Sequence, residues 1–579
     1  MSTDSLQTSL GAHLAYKPQS LKFGTSGRRG LIVDLTQLEI YINVLGELRY
    51  LQAKSPADGG IEVGDDFYYA YDLRPSSIHY VEPSRGGLCQ AVEQALRDAG
   101  MNPISLGAIP TPALTLFALQ RAKGSIMVTG SHIPFDRNGY KLNTSKGELM
   151  KKDEKPINES VEVVRKSIIE QPFTESLFNE QGMLRNPVST LVTPVPEGKS
   201  EYIQRYLDFF KGDTLEGMKL LVYQHSAVGR DLIVELFRAL GAEVLPAGRS
   251  ETFVPIDTEA IDQAQLDTVQ SLVDSTGQTF DAVISTDGDS DRPLLLAPEG
   301  GKLRFFSGDL LGMVVADFLG ADAVVVPIST NDAIDRGPLA AVLAPKTKIG
   351  SPYVIDGMQN AASAGRSRVL GWEANGGFLT GSDIEIDGKK LPALPTRDAV
   401  LPLLSVLFAS RKRQTTVSGL FESLPARFSR ASVIRNFPRP TSAKIVERFS
   451  PLKGQALTGE NEIYGCQYED ESMVPLNSKG EPIRASISES ETRQLAQIRQ
   501  ELQQVFSAEA GFSNIKGTNY TDGVRVTFEN GDVAHIRPSG NADELRIYSV
   551  SDDKARADEI CNQATAEPNG LLRQLERMV

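Results

Sequence analysis

Four short segments of the chain carry side chains whose types and spacing could do chemistry. Thr129-Gly130-Ser131-His132-Ile133-Pro134 follows an apolar run and continues through Asp136, Asn138 and Gly139 to Lys141. A serine placed after glycine at a strand end can turn its hydroxyl outward, with His132 adjacent and Lys141 able to fold back as a cation. The same residues could equally form a polar turn capped by Ser131. The second glycine of a GxSxG nucleophile elbow is missing, so that motif is excluded. Asp287-Gly288-Asp289-Ser290-Asp291-Arg292-Pro293 puts carboxylates at alternate positions. In an extended loop they point one way and make a hard oxygen site suited to Mg²⁺. An EF-hand would need Gly and Glu where Arg292 and Pro298 stand, so that reading fails. The alternative is an acidic surface turn, which three close like charges disfavour unless a cation sits between them.

The third segment, Gly371-Trp372-Glu373-Ala374-Asn375-Gly376-Gly377-Phe378, places the only tryptophan, a carboxylate and an amide on a glycine-rich turn. Glu and Asn can exchange hydrogen bonds with sugar hydroxyls, although a plain loop has the same composition. The fourth, Arg537-Pro538-Ser539-Gly540-Asn541, with Arg546 on the following strand, offers a guanidinium, a hydroxyl, backbone N–H groups and an amide. Together these could cradle an anion, or Arg537 could simply cap a turn.

The elements that must position these segments follow a β–α–β rhythm. Residues 67–71 (FYYAY), 103–107 and 125–128 read as strands, with a helix over 85–99 stopped by Gly100. The rhythm restarts with strands at 219–223, 242–245 and 280–285 around a helix at 229–240. It restarts again with a helix at 310–319 and strands at 324–328 and 368–372. This alternation predicts parallel or mixed sheets with helices on their faces. Three such units suggest duplicated domains. Linkers are expected near 193–198 and 437–441, where Pro and Gly gather. The last part differs: a polar helix over 489–506, then alternating strands at 523–528 and 533–536 joined through Asn530-Gly531, a hairpin signal.

Composition limits the function. The 579 residues carry 60 basic and 74 acidic side chains, a net charge of −14, which disfavours broad binding to nucleic acid or anionic lipid. Anions must therefore be met in local basic pockets. Cys89, Cys466 and Cys561 form no CxxC or Cys/His cluster, which argues for a reducing compartment and against disulfide or zinc frameworks. The first eighteen residues show no secretory pattern. The most apolar stretch, residues 310–328, is interrupted by Asp317 and Asp322, so no membrane span is expected. These features predict a cytoplasmic protein with no nucleic-acid or membrane partner, and they are silent on oligomeric state.

In their order, these segments resemble the α-D-phosphohexomutase superfamily of phosphoglucomutases, phosphomannomutases and phosphoglucosamine or acetylglucosamine mutases. Phe23-Gly24-Thr25-Ser26-Gly27-Arg28-Arg29-Gly30 looks like its N-terminal segment, and Ser131-His132 like its phosphoserine loop. Asp287 to Asp291 look like its metal loop, Glu373 to Gly377 like its sugar loop, and Arg537 to Asn541 like its phosphate loop. The resemblance implies an α/β fold of four domains around a central cleft: three related α/β domains with mixed sheets and a smaller C-terminal α+β domain. The division expected is 1–195, 196–322, 323–440 and 441–579, carrying the four loops in turn. Ser131 would be phosphorylated, and with Asp287, Asp289 and Asp291 it would hold Mg²⁺. Arg292 would neutralise charge, and His132 or Lys141 would move protons. Arg28, Glu373, Asn375, Arg537, Ser539, Gly540 and Asn541 would bind substrate.

The implied activity interconverts hexose 1-phosphate and hexose 6-phosphate through a hexose 1,6-bisphosphate, which also serves as activator. The partners are thus small sugar phosphates. Ile133, Ser290, Ser351 and Asn541 depart from common family patterns, and the sugar loop EANGG lacks both the GEMSGH and the EES forms. The sequence SHIPFDRNGYK resembles bacterial phosphomannomutases, which favours mannose phosphate. The alternatives are a phosphoglucomutase, a bisphosphate synthase, or a phosphosugar-binding protein without turnover.

Overall fold

The computed structural model describes residues 8–24, 27–79, 86–187, 190–259, 261–451, 462–469, 472–483, 487–539 and 543–579. The chain is α/β with several mixed sheets, as expected. It divides into two compact units, Met1–Gly320 with Asn375–Gly419 and Ala321–Ala374 with Leu420–Val579.

The first unit holds two sheets built on one plan. In one, the parallel strands Asn102–Gly107, Asp66–Tyr71 and Ser125–Val128 are followed by the antiparallel strands Arg137–Thr144 and Arg28–Leu31. In the other, Glu243–Arg249, Lys219–His225 and Ala282–Thr286 run parallel, followed by antiparallel Pro293–Glu299 and Lys302–Phe306. In each sheet a chemistry-bearing loop joins the last parallel strand to the first antiparallel one. Ser131 sits in one such loop and the three aspartates in the other. Every residue of Ser125–Val128 and of Ala282–Thr286 is buried, which fits strands covered on both faces.

Helix Gln37–Ala53 starts at an N-cap where Thr36 accepts from the Glu39 N–H, and it is buried almost all round. Gly46 lets it approach helix Glu154–Glu170, because a Cβ there would lie 2.6 Å from Val161 Cα. The predicted helix at 85–99 is Leu88–Asp98, with Arg85 outside the described residues. The third restart is divided: helix Gly308–Phe318 belongs to the first unit, and the parallel strands Ala323–Val325 and Val369–Trp372 to the second. The strand predicted over 324–328 ends early, at Val325, and Pro327 brings no N–H with which a ladder could continue.

In the second unit a seven-stranded sheet carries the C-terminal hairpin Val524–Phe528 and Val533–Pro538. Helix Glu489–Val505 opens with a reciprocal capping box between Ser488 and Glu491. Strand Phe428–Arg435 pairs along its whole length with Glu544–Ser551, so the segment 437–441 lies inside this sheet's chain and not before it. Among the described residues, no helix is long and apolar enough to cross a membrane. The three cysteines are free and buried.

Candidate active site

Asp72, at the end of strand Asp66–Tyr71, organises the Ser131 loop. Its carboxylate accepts from Thr129 Oγ1 (2.8 Å), the Gly130 N–H (3.2 Å) and Ser77 Oγ (2.8 Å). Its partner Arg74, 3.3 Å away, is fully buried. Arg74 donates to the carbonyls of Ser131 (3.0 Å), Ile133 (2.5 Å), Pro134 (2.8 Å) and Arg137 (2.9 Å). One guanidinium thus fixes the whole turn. Only glycine fits at 130, where a Cβ would stand 2.6 Å from the Arg74 guanidinium. Ser131 itself has φ +53°, a left-handed conformation that a serine holds at a cost of about 1 kcal/mol. Its N–H donates to Thr129 Oγ1 at 2.7 Å, and its Oγ donates to Asp287 Oδ2 at 2.7 Å.

Asp287, Asp289 and Asp291 are all buried, with their candidate ligand atoms within 4.8 Å of one another. Lys141 Nζ bridges Asp289 Oδ2 and Asp291 Oδ2, at 2.6 Å from each. Thr111 Oγ1 donates to Asp289 Oδ2 (2.6 Å), and Arg397 Nε to Asp291 Oδ2 (3.0 Å). Arg292 Nη1 donates to His132 Nδ1 at 3.1 Å, and that nitrogen lies 3.4 Å from Ser131 Oγ. Behind the loop, buried His225 donates from Nε2 to the Thr286 carbonyl at 2.8 Å. The acceptor is a carbonyl, so Nε2 must carry the proton. Burial lowers this imidazole to about 4, so it is neutral near pH 7.

Electrostatics separate the three carboxylates. Burial, reinforced by Asp289 and Asp291, pushes Asp287 well above the usual range. Burial also opposes charge on Asp289 and Asp291, yet both are held below it. Lys141 acts on both, joined by Thr111 at Asp289 and by Arg397 and Arg292 at Asp291. Asp289 Oδ1 and Asp291 Oδ1 remain buried without a hydrogen-bond partner among the described residues. Two orphaned anionic oxygens beside a third carboxylate are a donor set that a hard divalent cation fits.

Asn375, in the first unit, turns its Oδ1 to the Gly377 N–H (2.9 Å), and its carbonyl accepts from Thr258 Oγ1 (2.7 Å). In the second unit, Glu373 is buried just beyond strand Val369–Trp372. There Arg537 Nε reaches Asp522 Oδ1 at 3.1 Å, and Ser539 is buried. Arg537 and Arg546 face each other across neighbouring strands. Each also pairs with a carboxylate, Arg537 with Asp522 and Arg546 with Glu544 at 3.4 Å. Thr25, Ser26, Gly540 and Asn541 lie outside the described residues.

Family models of phosphoglucomutase/phosphomannomutase match in chain order: α/β/α domain I over residues 20–167, domain II over 200–300, domain III over 307–428 and the C-terminal domain over 483–567. The chain belongs to this phosphoglucomutase/phosphomannomutase family. A phosphomannomutase of Sinorhizobium fredii is 34% identical over 555 residues, which cover 95% of this chain and 99% of that protein. One of Salmonella muenchen is 34% identical over 542 residues, covering 94% of each. A crystal structure of a phosphoglucomutase/phosphomannomutase family protein from Burkholderia thailandensis shares the fold. Its TM-score is 0.58 at 16% identity, covering 98% of this chain and 99% of that one.

In this family member the structure brings Ser131, His132, Lys141, Arg292 and the three aspartates together, but not Arg28. The Arg28 guanidinium is buried against Glu47 (2.6 Å), the Leu21 carbonyl (2.5 Å) and Asn158 (2.8 Å). Successive strand residues face opposite ways. It is therefore Arg29 that feels Asp289 and Asp291; burial lowers it to about 10 while Asp289 opposes the change. The alternation within Arg28–Leu31 could have revealed this. Arg74, Thr111 and Arg397 also escaped the sequence reading, because their importance lies in partners distant along the chain.

Proposed function

We propose that this phosphoglucomutase/phosphomannomutase interconverts hexose 1-phosphate and hexose 6-phosphate through a phosphorylated Ser131 and a hexose 1,6-bisphosphate, with mannose phosphate as preferred substrate. The observation that carries the reading is the hydrogen bond from Ser131 Oγ to Asp287, inside a buried carboxylate triad with unfilled oxygens. Ser131, Asp287, Asp289 and Asp291 would hold Mg²⁺, which would supply charge neutralisation at the moving phosphoryl group. A phosphoserine is a covalent store that divides one isomerisation into two transfers.

In the first transfer the Ser131 Oγ–P bond breaks as a sugar hydroxyl oxygen bonds to phosphorus, and the hydroxyl proton passes to His132, since Lys141, donating to Asp289 and Asp291, has no lone pair to receive it. In the second, after the bisphosphate turns around, Ser131 Oγ takes the other phosphoryl group and a proton returns to the sugar oxygen. Most of the catalysis is positioning and neutralisation, which suits the cations Arg292 and Lys141 around the triad. Arg537 with Ser539, Gly540 and Asn541 would bind the non-reacting phosphate, and Glu373 with Asn375 the sugar hydroxyls. Added hexose 1,6-bisphosphate would act as activator by phosphorylating Ser131. The names of the 34% identical relatives support mannose over glucose.

The test compares kcat/KM for mannose 1-phosphate, glucose 1-phosphate and N-acetylglucosamine phosphate with Mg²⁺ and catalytic bisphosphate. A mannose preference, or parity with glucose, is expected; accumulating bisphosphate would instead indicate a synthase. Ser131→Ala is expected to lower mutase turnover by roughly 1,000-fold or more. Unchanged turnover in that variant would sink the phosphoserine mechanism.

A further inference from the structure

Beside helix Glu197–Phe209, in the first unit, lies a cavity of about 650 Å³ lined by Arg121, Glu201, Gln204, Arg205, Asp208 and Lys390, among others. Most of these polar groups hold one another. Arg121 makes a two-pronged pair with Glu201, at 2.7 and 3.0 Å. Lys390 lies 2.6 Å from Asp383, and Gln204 Nε2 donates to Asp208 Oδ1 at 2.7 Å.

Arg205 is the exception. It is 7% exposed, and none of its three guanidinium nitrogens meets an acceptor among the described residues. Its guanidinium carbon stands 5.7 Å from the Tyr206 ring centroid, a contact with a π face that satisfies no N–H donor. A guanidinium brings five N–H donors, and burying them without an acceptor is unfavourable. Glu201 and Asp383 are already engaged by other cations, and Asp208 by an amide. Asp383 acts on Arg205 through space, but no group among the described residues accepts a hydrogen bond from it.

We infer that Arg205 anchors a second anion-binding site in this cavity, and that its ligand is a small phosphate or phosphate monoester. A planar guanidinium matches two phosphate oxygens at once, and Gln120 and Gln204 offer amides for neighbouring hydroxyls. The guanidinium nitrogens are covered, so binding brings a change of Arg205 rotamer into the cavity. The assignment does not depend on the mutase reading.

The experiment uses the full chain and inorganic phosphate as probe, with equilibrium dialysis to count bound phosphates and thermal unfolding in parallel. The catalytic residues also take phosphate, so the difference between variants is what counts. Wild type is expected to bind one more phosphate per chain than Arg205→Met, and Arg205→Lys to bind it about 10-fold more weakly. Without phosphate, Arg205→Met should melt at the same temperature as wild type or higher, because a buried guanidinium without an acceptor is gone. Saturating phosphate should then raise the wild-type midpoint more than that of the variant. Equal phosphate counts in wild type and Arg205→Met would overturn the site. So would an Arg205→Met that melts lower without phosphate and shows the same anion shift, which would make Arg205 a structural group. If Arg205→Met does not fold, the affinity of Arg205→Lys decides: wild-type affinity overturns the site and the 10-fold loss supports it.

Discussion

Two charge clusters, one buried and one half-buried, use similar residues to opposite ends. In the second unit Asp332 faces Arg525, Lys346 at 3.4 Å and Arg427 at 3.3 Å, and Lys346 also pairs with Asp335 at 2.6 Å. Arg427 also reaches Asp552 and the Gly531 carbonyl, so it ties strand-bearing segments together. These cations outweigh burial and hold Asp332 far below the usual carboxylate range. In the first unit three aspartates share Lys141, Arg292 and Arg397, and Asp289 Oδ1, Asp291 Oδ1 and Arg292 Nε stay without hydrogen-bond partners among the described residues. A cluster in which both oxygens of the central carboxylate meet cations braces the fold. A cluster with acceptors left over keeps room for a metal and a moving phosphoryl group.

The sharpest test of that contrast is metal removal. Chelation of divalent cations should abolish turnover, by roughly 1,000-fold or more, while the thermal midpoint falls by only a few degrees. The fold persists because Lys141 already neutralises Asp289 and Asp291. Unfolding on chelation would erase the distinction between a chemical and a bracing cluster.

Asp332→Asn should do the reverse. Urea titration is expected to show a loss of about 2–3 kcal/mol, since three cations lose the carboxylate they surround, with kcat unchanged. A loss of kcat at intact stability would mean that the bracing cluster also takes part in chemistry.

The smallest effect concerns a device both regions share. His225 donates to the Thr286 carbonyl beside the metal loop, and His535 donates to the Asp522 carbonyl beside Arg537. Burial lowers both to about 4 from an ordinary 6.5. The unfolded chain therefore binds more protons than the folded one between these values. Stability is complete above pH 6.5 and declines as the pH falls toward 4. At pH 5.5 the loss from His225 should be about 1 kcal/mol, and His225→Gln should lack that part of the slope. Denaturant midpoints of wild type and variant, measured from pH 7 to pH 5, check this; parallel curves would contradict a neutral buried His225.

Much of this was legible in the chain. Alternating apolar runs gave the strands Asp66–Tyr71, Lys219–His225 and Ala282–Thr286 close to their observed bounds. Hydrophobic periodicity and burial on a sheet are local consequences of residue order. The spacing of Asp287, Asp289 and Asp291 likewise foretold a shared site, because alternate residues of a short loop can converge without help from distant segments.

Arg28 and Arg29 mark where local reading stops. Both are basic, adjacent and inside one recognisable segment, yet Glu47 and Asn158 claim the first while Asp289 and Asp291 act on the second. Arg74, Thr111 and Arg397 show the same limit, since each acts on a loop 57, 178 or 106 residues away. By itself the sequence determined the residue types, the strand and helix periods and the order of the four loops, all set by neighbours a few positions apart. Tertiary structure alone decided which cation meets which carboxylate and which polar atoms are left without a partner, because Coulomb and hydrogen-bond energies depend on distance in space and not on distance along the chain.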